Sequence, residues 1–195
     1  MEPIILASGS LRRQEYLRLL GLPFSIMPSH IEESLVPGLN PEEQAEKLAA
    51  DKVRAVMETL KSQLPQWILG ADTLISIDGE ILGKPIDRED ARQMLLRYSN
   101  RSHEVITSMS LYNGKTKTIS SKTVKTIVTF AEIAENELEW YLNTGEWQGA
   151  AGSYKIQGLA SCFVSKIDGS FSNVVGLPIH DFYGMLKEND YPYGL

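Results

Sequence analysis

The segment from His103 to Phe130 constrains the fold more than any other part of this sequence. Residues 103–112 and 115–130 both alternate apolar and polar side chains, which predicts two long β-strands. Asn113-Gly114 lies between them and favours a tight turn, so we expect the two strands to pair antiparallel. A sheet that contains such a hairpin is not a strict parallel array of strand–helix–strand units.

Strand and helix signals alternate along the rest of the chain. Residues 4–7 predict a buried strand, which a serine-rich turn connects to a helix at 11–20. Asn40, Pro41 and Glu43 form a helix-start signal. Further strands are predicted at 67–70, 73–77, 80–82 and 161–167, and further helices at 87–98, 135–142 and 179–187. The mixture predicts an α/β fold with a mixed β-sheet flanked by helices, in one domain over residues 1–195 or two lobes that share the sheet.

Composition narrows the class of partner. The net charge of −6 argues against binding to polymeric nucleic acid, because phosphate backbones are bound by clustered Lys and Arg. Cys162 is the only cysteine, which excludes an internal disulfide and a multi-cysteine metal site. The sequence begins without a signal-peptide pattern and has no apolar run long enough for a membrane span, so we expect a cytoplasmic protein without a membrane partner.

The turn at residues 8–13 (SGSLRR) is a candidate phosphate site. A strand that leads through small residues into a helix start presents backbone N–H groups and the positive end of the helix dipole. Ser8, Ser10, Arg12 and Arg13 would add hydroxyl and guanidinium donors that suit phosphate oxygens. The alternative is a serine N-cap with solvated arginines, and the spacing alone does not choose between the two. Residues 79–84 are no P-loop, because the spacing is one residue short and Pro85 follows.

Three further residues stand out by position. Asp72 follows the predicted strand 67–70 and is placed to hold Mg²⁺ or to accept a proton from water, although it could simply cap a turn. Lys52 lies on the apolar side of the second helix, so it either meets an anionic partner or extends out to solvent. Gln157 could bind a base edge or could satisfy local backbone groups. The three histidines are scattered, which makes a zinc site improbable.

Six stretches resemble the Maf family of nucleoside triphosphate pyrophosphatases, in family order and over nearly the whole chain. They are residues 6–13 (LASGSLRR), 70–73 (GADT), 82–85 (LGKP), 103–107 (HEVIT), 151–158 (AGSYKIQG) and 174–178 (VVGLP). The resemblance implies a fold like that of inosine triphosphate pyrophosphatases, with a curved mixed sheet and two lobes around a central cleft. It also implies a homodimer, and metal-dependent cleavage of a nucleoside triphosphate to the monophosphate and pyrophosphate, with Mg²⁺ or Mn²⁺ as cofactor.

The resemblance also implies roles for individual residues. Ser8, Ser10 and Arg13 match the phosphate-binding motif, and Arg12, Lys52 and Gln157 match positions characteristic of the branch that prefers dTTP and UTP. Glu33, Asp72 and Lys84 match the catalytic positions. We expect Asp72 and Glu33 to hold the metal, with Asp72 also able to activate water, and Lys84, Lys52 and Arg13 to clamp phosphates.

Two alternatives stay open under this resemblance. One is 7-methyl-GTP pyrophosphatase activity, although Ile156-Gln157 favours the dTTP/UTP branch, because a Ser-Glu pair usually replaces it in the other branch. The second is a non-catalytic nucleotide sensor in septum formation or cell-division arrest. Such a sensor would have little need for the acidic and basic residues Glu33, Asp72 and Lys84. The sequence departs from the family at Leu11, where proline is common, and at residues 146–150 (EWQGA), which replace a more usual Glu-Pro-x-Asp-Lys.

Overall fold

A computed structural model describes residues 1–61 and 64–193. In this part of the chain the strands are β1 (Ile4–Leu6), β2 (Phe24–Ile26), β3 (Trp67–Ile77), β4 (Glu80–Leu82), β5 (Ser102–Asn113), β6 (Thr118–Phe130) and β7 (Val164–Asp168). The α-helices are α1 (Leu11–Leu19), α2 (Pro41–Leu60), α3 (Arg88–Tyr98), α4 (Glu135–Thr144), α5 (Phe171–Val175) and α6 (Ile179–Glu188). None of the described helices is long and apolar enough to cross a membrane.

The described strands form one open, mixed sheet. Their order is β2-β1-β3-β5-β6-β7, and β4 pairs with β3 beside this path. β1 pairs parallel with both β2 and β3, whereas the β3–β4 and β6–β7 pairs are antiparallel. The predicted α/β fold with a mixed sheet is therefore confirmed.

Strand β3 differs from the prediction. The sequence predicts a strand that ends at Gly70 and another that begins at Thr73, but one strand runs unbroken from Trp67 to Ile77. Residues 67–69 pair with β1 and residues 75–77 pair with β4, so the backbone stays extended between the two pairings. Asp72 consequently lies in the middle of a strand and not after its end. Asp and Gly are depleted in strands, which is why the local sequence favoured a break.

The two predicted hairpin turns have different outcomes. Asp78 and Gly79 form a two-residue turn in which both φ angles are positive, 55° and 79°, as a type I′ turn requires. The connection between β5 and β6 is longer than the predicted Asn113-Gly114 turn and spans residues 114–117. A Cβ on Gly114 would lie 3.0 Å from the Pro65 carbonyl oxygen, so glycine leaves room here for a close backbone approach.

The chain divides into two compact units. Unit 1 comprises Met1–Asp72, Thr107–Val124 and Gly176–Leu195, and unit 2 comprises Thr73–Ile106 and Lys125–Val175. The unit 1 core contains the fully buried Trp67, which contacts Tyr191 edge to face. The unit 2 core contains a cluster of aromatic rings, Tyr98, His103, Phe130 and Tyr154.

Several element boundaries were missed. β2 and the short helix α5 were not predicted, because three and five residues give too little periodicity to detect. The strand predicted at 161–167 begins only at Val164, after a 3₁₀ helix at Leu159–Phe163. The helix-start signal before α2 is correct: Asn40 Oδ1 accepts the Glu43 N–H, and Glu43 Oε2 accepts the Asn40 N–H.

Candidate active site

The turn between β1 and α1 is organised around the Ser8 hydroxyl. Ser8 Oγ accepts a hydrogen bond from the Ser10 N–H at 3.3 Å and one from the Arg13 guanidinium at 3.0 Å. Arg13 Nε also donates to the Gly176 carbonyl oxygen at 2.9 Å. Arg13 is buried, so the alternative of solvated arginines is wrong for this residue. It ties the turn to the segment before α6.

The start of α1 has the features of an anion site. Ser10 is the N-cap residue, and its side chain makes no capping hydrogen bond. The first turn of α1 carries no acidic residue, so no side-chain charge there opposes an anion at the positive end of the helix dipole. Arg12 lies in this first turn and is half-buried. The turn therefore offers a hydroxyl, a guanidinium and helix-start amides.

Lys52 links the two predicted catalytic carboxylates. Its ammonium nitrogen lies 2.6 Å from Asp72 Oδ1 and 2.6 Å from Glu33 Oε1. The Lys52 and Asp72 side chains are only 7% and 8% exposed, whereas that of Glu33 is 47% exposed. The prediction that Lys52 points inward and meets an anionic partner is therefore confirmed, and the alternative that it extends out to solvent is wrong. One carboxylate of the pair is thus buried and the other faces solvent.

Close packing of α2 on β3 brings Lys52 to Asp72. A Cβ on Gly70 would lie 2.3 Å from the Ala49 carbonyl oxygen and 2.8 Å from Val53 Cγ2. Only glycine lets the helix backbone approach the strand this closely. The approach is needed because Lys52 lies between Ala49 and Val53 on the same side of α2.

A residue that sequence reasoning missed holds the Glu33 loop. Gln44 is buried on α2, its amide N–H donates to the Ser34 carbonyl oxygen at 3.1 Å, and its amide oxygen accepts the Val36 N–H at 2.9 Å. These bonds fix the chain directly after Glu33 to α2. The signal was present in the sequence, because Gln44 lies eight residues before Lys52 and thus on the same helix face.

A pocket of about 160 Å³ opens beside these groups. Its wall includes Ser8, Glu33 and Lys52 from the predicted site, together with Ala7, Gly9 and residues 28–31. The pocket therefore lies between the start of the phosphate-suited turn and Glu33, one of the two carboxylates, within unit 1.

Electrostatics in unit 1 favour an anionic ligand near Arg12 and Arg13. Burial lowers the pKa of the Arg13 guanidinium, and the charges of Asp72 and Glu33 oppose this shift while that of Arg12 adds to it. Burial also lowers the pKa of Arg12, against the opposing charge of Glu15. An arginine stays protonated in proteins despite such shifts, so both carry a positive charge in a poorly solvated place.

The donor set fits a divalent metal that a substrate helps to bind. Among the described residues, no cluster of three or more His, Cys, Asp or Glu side chains could hold a metal. Asp72 and Glu33 nevertheless converge on one cation, the Lys52 ammonium. Mg²⁺ commonly takes only one or two protein carboxylates and completes its shell with waters and substrate phosphates.

Two predicted site residues, Lys84 and Gln157, belong to unit 2. Both are exposed. The Gly152 N–H donates to the Gly83 carbonyl oxygen at 2.8 Å, which brings the segment before Lys84 against the start of the segment that carries Gln157. The other seven, which belong to unit 1, are Ser8, Ser10, Arg12, Arg13, Glu33, Lys52 and Asp72.

The chain is similar to known proteins in sequence and in structure. The family model for Maf-like proteins matches residues 3–189. A dTTP/UTP pyrophosphatase of Symbiobacterium thermophilum is 42% identical over 192 residues, which is 98% of this chain and 96% of that protein. A dTTP/UTP pyrophosphatase of Bacillus velezensis is 45% identical over 185 residues, 95% of each. Among solved structures, the Staphylococcus aureus Ham1 protein aligns with 69% of this chain and 73% of its own at 17% identity, with a TM-score of 0.43.

Proposed function

This chain belongs to the Maf-like protein family, and from that membership we propose that it hydrolyses dTTP and UTP to the nucleoside monophosphate and pyrophosphate. The relatives of 42% and 45% identity that carry the name dTTP/UTP pyrophosphatase support the substrate. The observation that carries the reaction is the Asp72–Lys52–Glu33 cluster beside the Ser8 turn. It places acidic groups next to donors that suit phosphate oxygens.

The turn at Ser8 binds the triphosphate. Phosphate oxygens accept hydrogen bonds from the Ser10 hydroxyl, the Arg12 guanidinium and the first amides of α1. Arg13 fixes the position of the Ser8 hydroxyl by donating a hydrogen bond to it. The family resemblance assigns a further phosphate-binding positive charge to Lys84. Phosphoanhydride hydrolysis depends mostly on positioning and charge neutralisation, so this set supplies much of what the reaction needs.

Asp72 activates the attacking water. The water oxygen forms a bond to the α-phosphorus, the bond from the α-phosphorus to the bridging oxygen breaks, and pyrophosphate leaves. The water proton passes to a carboxylate oxygen of Asp72, whose Oδ1 lies 2.6 Å from the Lys52 ammonium nitrogen. Glu33, the more exposed carboxylate, completes the acidic pair.

Asp72 and Glu33 would also hold a divalent cation, Mg²⁺ or Mn²⁺. Such an ion, when bound, neutralises phosphate charge and lowers the pKa of a bound water. Gln157 selects the base, because its amide offers one donor and one acceptor to a base edge. We further propose a cytoplasmic homodimer that does not bind polymeric nucleic acid. The net charge of −6 supports the last point, and family membership supports the homodimer.

Pyrophosphate release from a panel of canonical and modified triphosphates, with Mg²⁺ or Mn²⁺, tests the proposal. We expect wild-type protein to act fastest on dTTP and UTP, and Asp72→Asn to lose about 10²-fold or more in kcat. Asp78→Asn is the matched control, since Asp78 is an exposed turn residue paired with Arg101. Release of pyrophosphate from 7-methyl-GTP alone would overturn the proposal that dTTP and UTP are the substrates. Nucleotide binding without any release would overturn the reaction and favour a sensor.

A further inference from the structure

Glu146, in unit 2, binds the segment that follows Gln157. Its carboxylate accepts the Leu159 N–H at 3.0 Å and the Ala160 N–H at 3.2 Å, one on each oxygen. These amides belong to the first turn of the 3₁₀ helix at Leu159–Phe163, where no backbone partner is available to them. Hydrogen bonds from amides to a carboxylate are stronger than those to a neutral acceptor, so the contact fixes the start of this helix.

The residue between Gln157 and this helix is a glycine for a steric reason. A Cβ on Gly158 would lie 2.3 Å from Glu146 Oε2 and 2.6 Å from the other carboxylate oxygen. The Glu146 carboxylate therefore occupies the space that any larger residue at position 158 would fill. A side chain at position 158 would therefore have to displace this carboxylate from its place.

Tyr141 lies close enough to the same carboxylate to feel its charge, and it contacts the chain that precedes Gln157. Burial and then the charge of the nearby Glu146 raise the pKa of Tyr141. The Tyr141 hydroxyl lies 3.3 Å from the Ser153 carbonyl oxygen. The Gly158 N–H closes a turn onto the Lys155 carbonyl oxygen at 3.0 Å, and Gln157 lies inside this turn.

We infer that Glu146 is a positioning residue for base selection: it holds the turn at 155–158 so that the exposed Gln157 amide is presented in one place. The inference rests on the proposed function, in which Gln157 contacts the base. It assigns a role to a residue outside the phosphate site and the carboxylate pair. If Gln157 were not held in place, it would have to become ordered each time it bound a base. This cost would weaken its contacts with the preferred bases and so reduce discrimination between bases.

The test is the ratio of kcat/KM for dTTP and UTP to kcat/KM for dCTP and dATP. We expect Glu146→Gln to lower this ratio about tenfold, mainly through a higher KM for dTTP and UTP, because the amide group cannot accept both backbone N–H bonds. Gly158→Ala displaces the carboxylate without removing it and should lower the ratio similarly. Glu139→Gln is the matched control, a glutamate on α4 that pairs with Arg88 at the surface, and should leave the ratio unchanged.

A double-mutant cycle separates positioning from general stability. If Glu146 acts through Gln157, Glu146→Gln should change the ratio little once Gln157→Ala is present. Equal losses for all four nucleotides, or losses that add in the double mutant, would overturn the inference while pyrophosphate release by the wild type still supports the proposed function. A wild-type protein that releases pyrophosphate from none of them would overturn both.

Discussion

The Lys52 ammonium lies 2.6 Å from Asp72 Oδ1, and this buried contact joins α2 to the middle of β3. The same nitrogen lies 2.6 Å from Glu33 Oε1, so one lysine contacts both carboxylates. A divalent metal that binds these oxygens has to compete with, or displace, the ammonium. If the proposed metal binds here, its binding and the stability of unit 1 should therefore be coupled through Lys52.

Lys52→Met should reveal this coupling. Removing the ammonium leaves Asp72 buried without its cation, so we expect the free energy of unfolding to fall by about 3 kcal/mol in metal-free buffer. Mn²⁺ should raise the melting temperature of the variant more than that of the wild type, because the two carboxylates then lack a competing cation. Differential scanning calorimetry with and without Mn²⁺ measures both effects.

Lys47→Met is the control for the lysine substitution. Lys47 lies on the same helix but pairs with Asp51 at the surface, where an ion pair contributes only about 0–1 kcal/mol. Its melting temperature should respond to Mn²⁺ as the wild type does. An equal Mn²⁺ response in Lys52→Met and wild type would contradict competition at this site.

The two carboxylates should differ in their effect on stability. Asp72 is buried and Glu33 is half-exposed, so we expect Asp72→Ala to cost about 3 kcal/mol and Glu33→Ala less than about 1 kcal/mol. Both substitutions should abolish most pyrophosphate release under the proposed function. Urea denaturation measures the free energy of unfolding of both variants. A larger loss of stability in Glu33→Ala than in Asp72→Ala would show that burial does not determine which carboxylate matters more for stability.

Gly70→Ala should damage the site from a distance. The new Cβ would lie 2.3 Å from the Ala49 carbonyl oxygen, so α2 has to move away from β3 and carry Lys52 with it. Overpacking of this kind typically costs about 1–3 kcal/mol, and we expect kcat to fall as well. Urea denaturation and pyrophosphate release measure the two effects.

Gly83→Ala gives the comparison for that glycine. It has no atom within 4 Å of the added Cβ and should unfold like the wild type. A Gly70→Ala variant as stable and active as the wild type would mean that the close approach of helix and strand is not required.

The sequence correctly predicted features that depend on residues close to one another in the chain. The capping box of Asn40 and Glu43 and the type I′ turn at Asp78-Gly79 depend on residues within four positions of each other, and both were predicted. Lys52 was also found from sequence, because a cation within an apolar helix face needs an explanation. These are the features that a single sequence can specify.

Tertiary pairing determined what the sequence did not predict. β3 stays extended through Asp72 because of strands that pair with its two ends, and nothing near Asp72 in sequence indicates this. The sequence places Gln44 on the same face of α2 as Lys52, but it does not show that Gln44 bonds to Ser34 and Val36. The roles of Lys84 and Gln157 stay predictions that rest on the family resemblance and on their exposure.

His103 should make the protein sensitive to acid. It lies in the aromatic cluster of unit 2, its Nε2 lies 2.7 Å from the Tyr154 hydroxyl, and burial lowers its pKa from 6.5 to about 3. Because the folded pKa is depressed, the unfolded chain binds the proton first, so stability is full above pH 6.5 and falls as pH decreases toward 3. Relative to a variant without this group, the wild type should lose about 2 kcal/mol between pH 7 and pH 5.

His103→Gln tests this, because an amide can still bond to Tyr154 but does not titrate in this range. Urea denaturation at pH 7, 6 and 5 should show that the stability difference between the wild type and the variant shifts in favour of the variant as pH falls. His180→Gln, at an exposed histidine, should keep the acid sensitivity because His103 is still present. A His103→Gln variant that loses stability as steeply as the wild type would show that groups other than this buried imidazole determine the acid response.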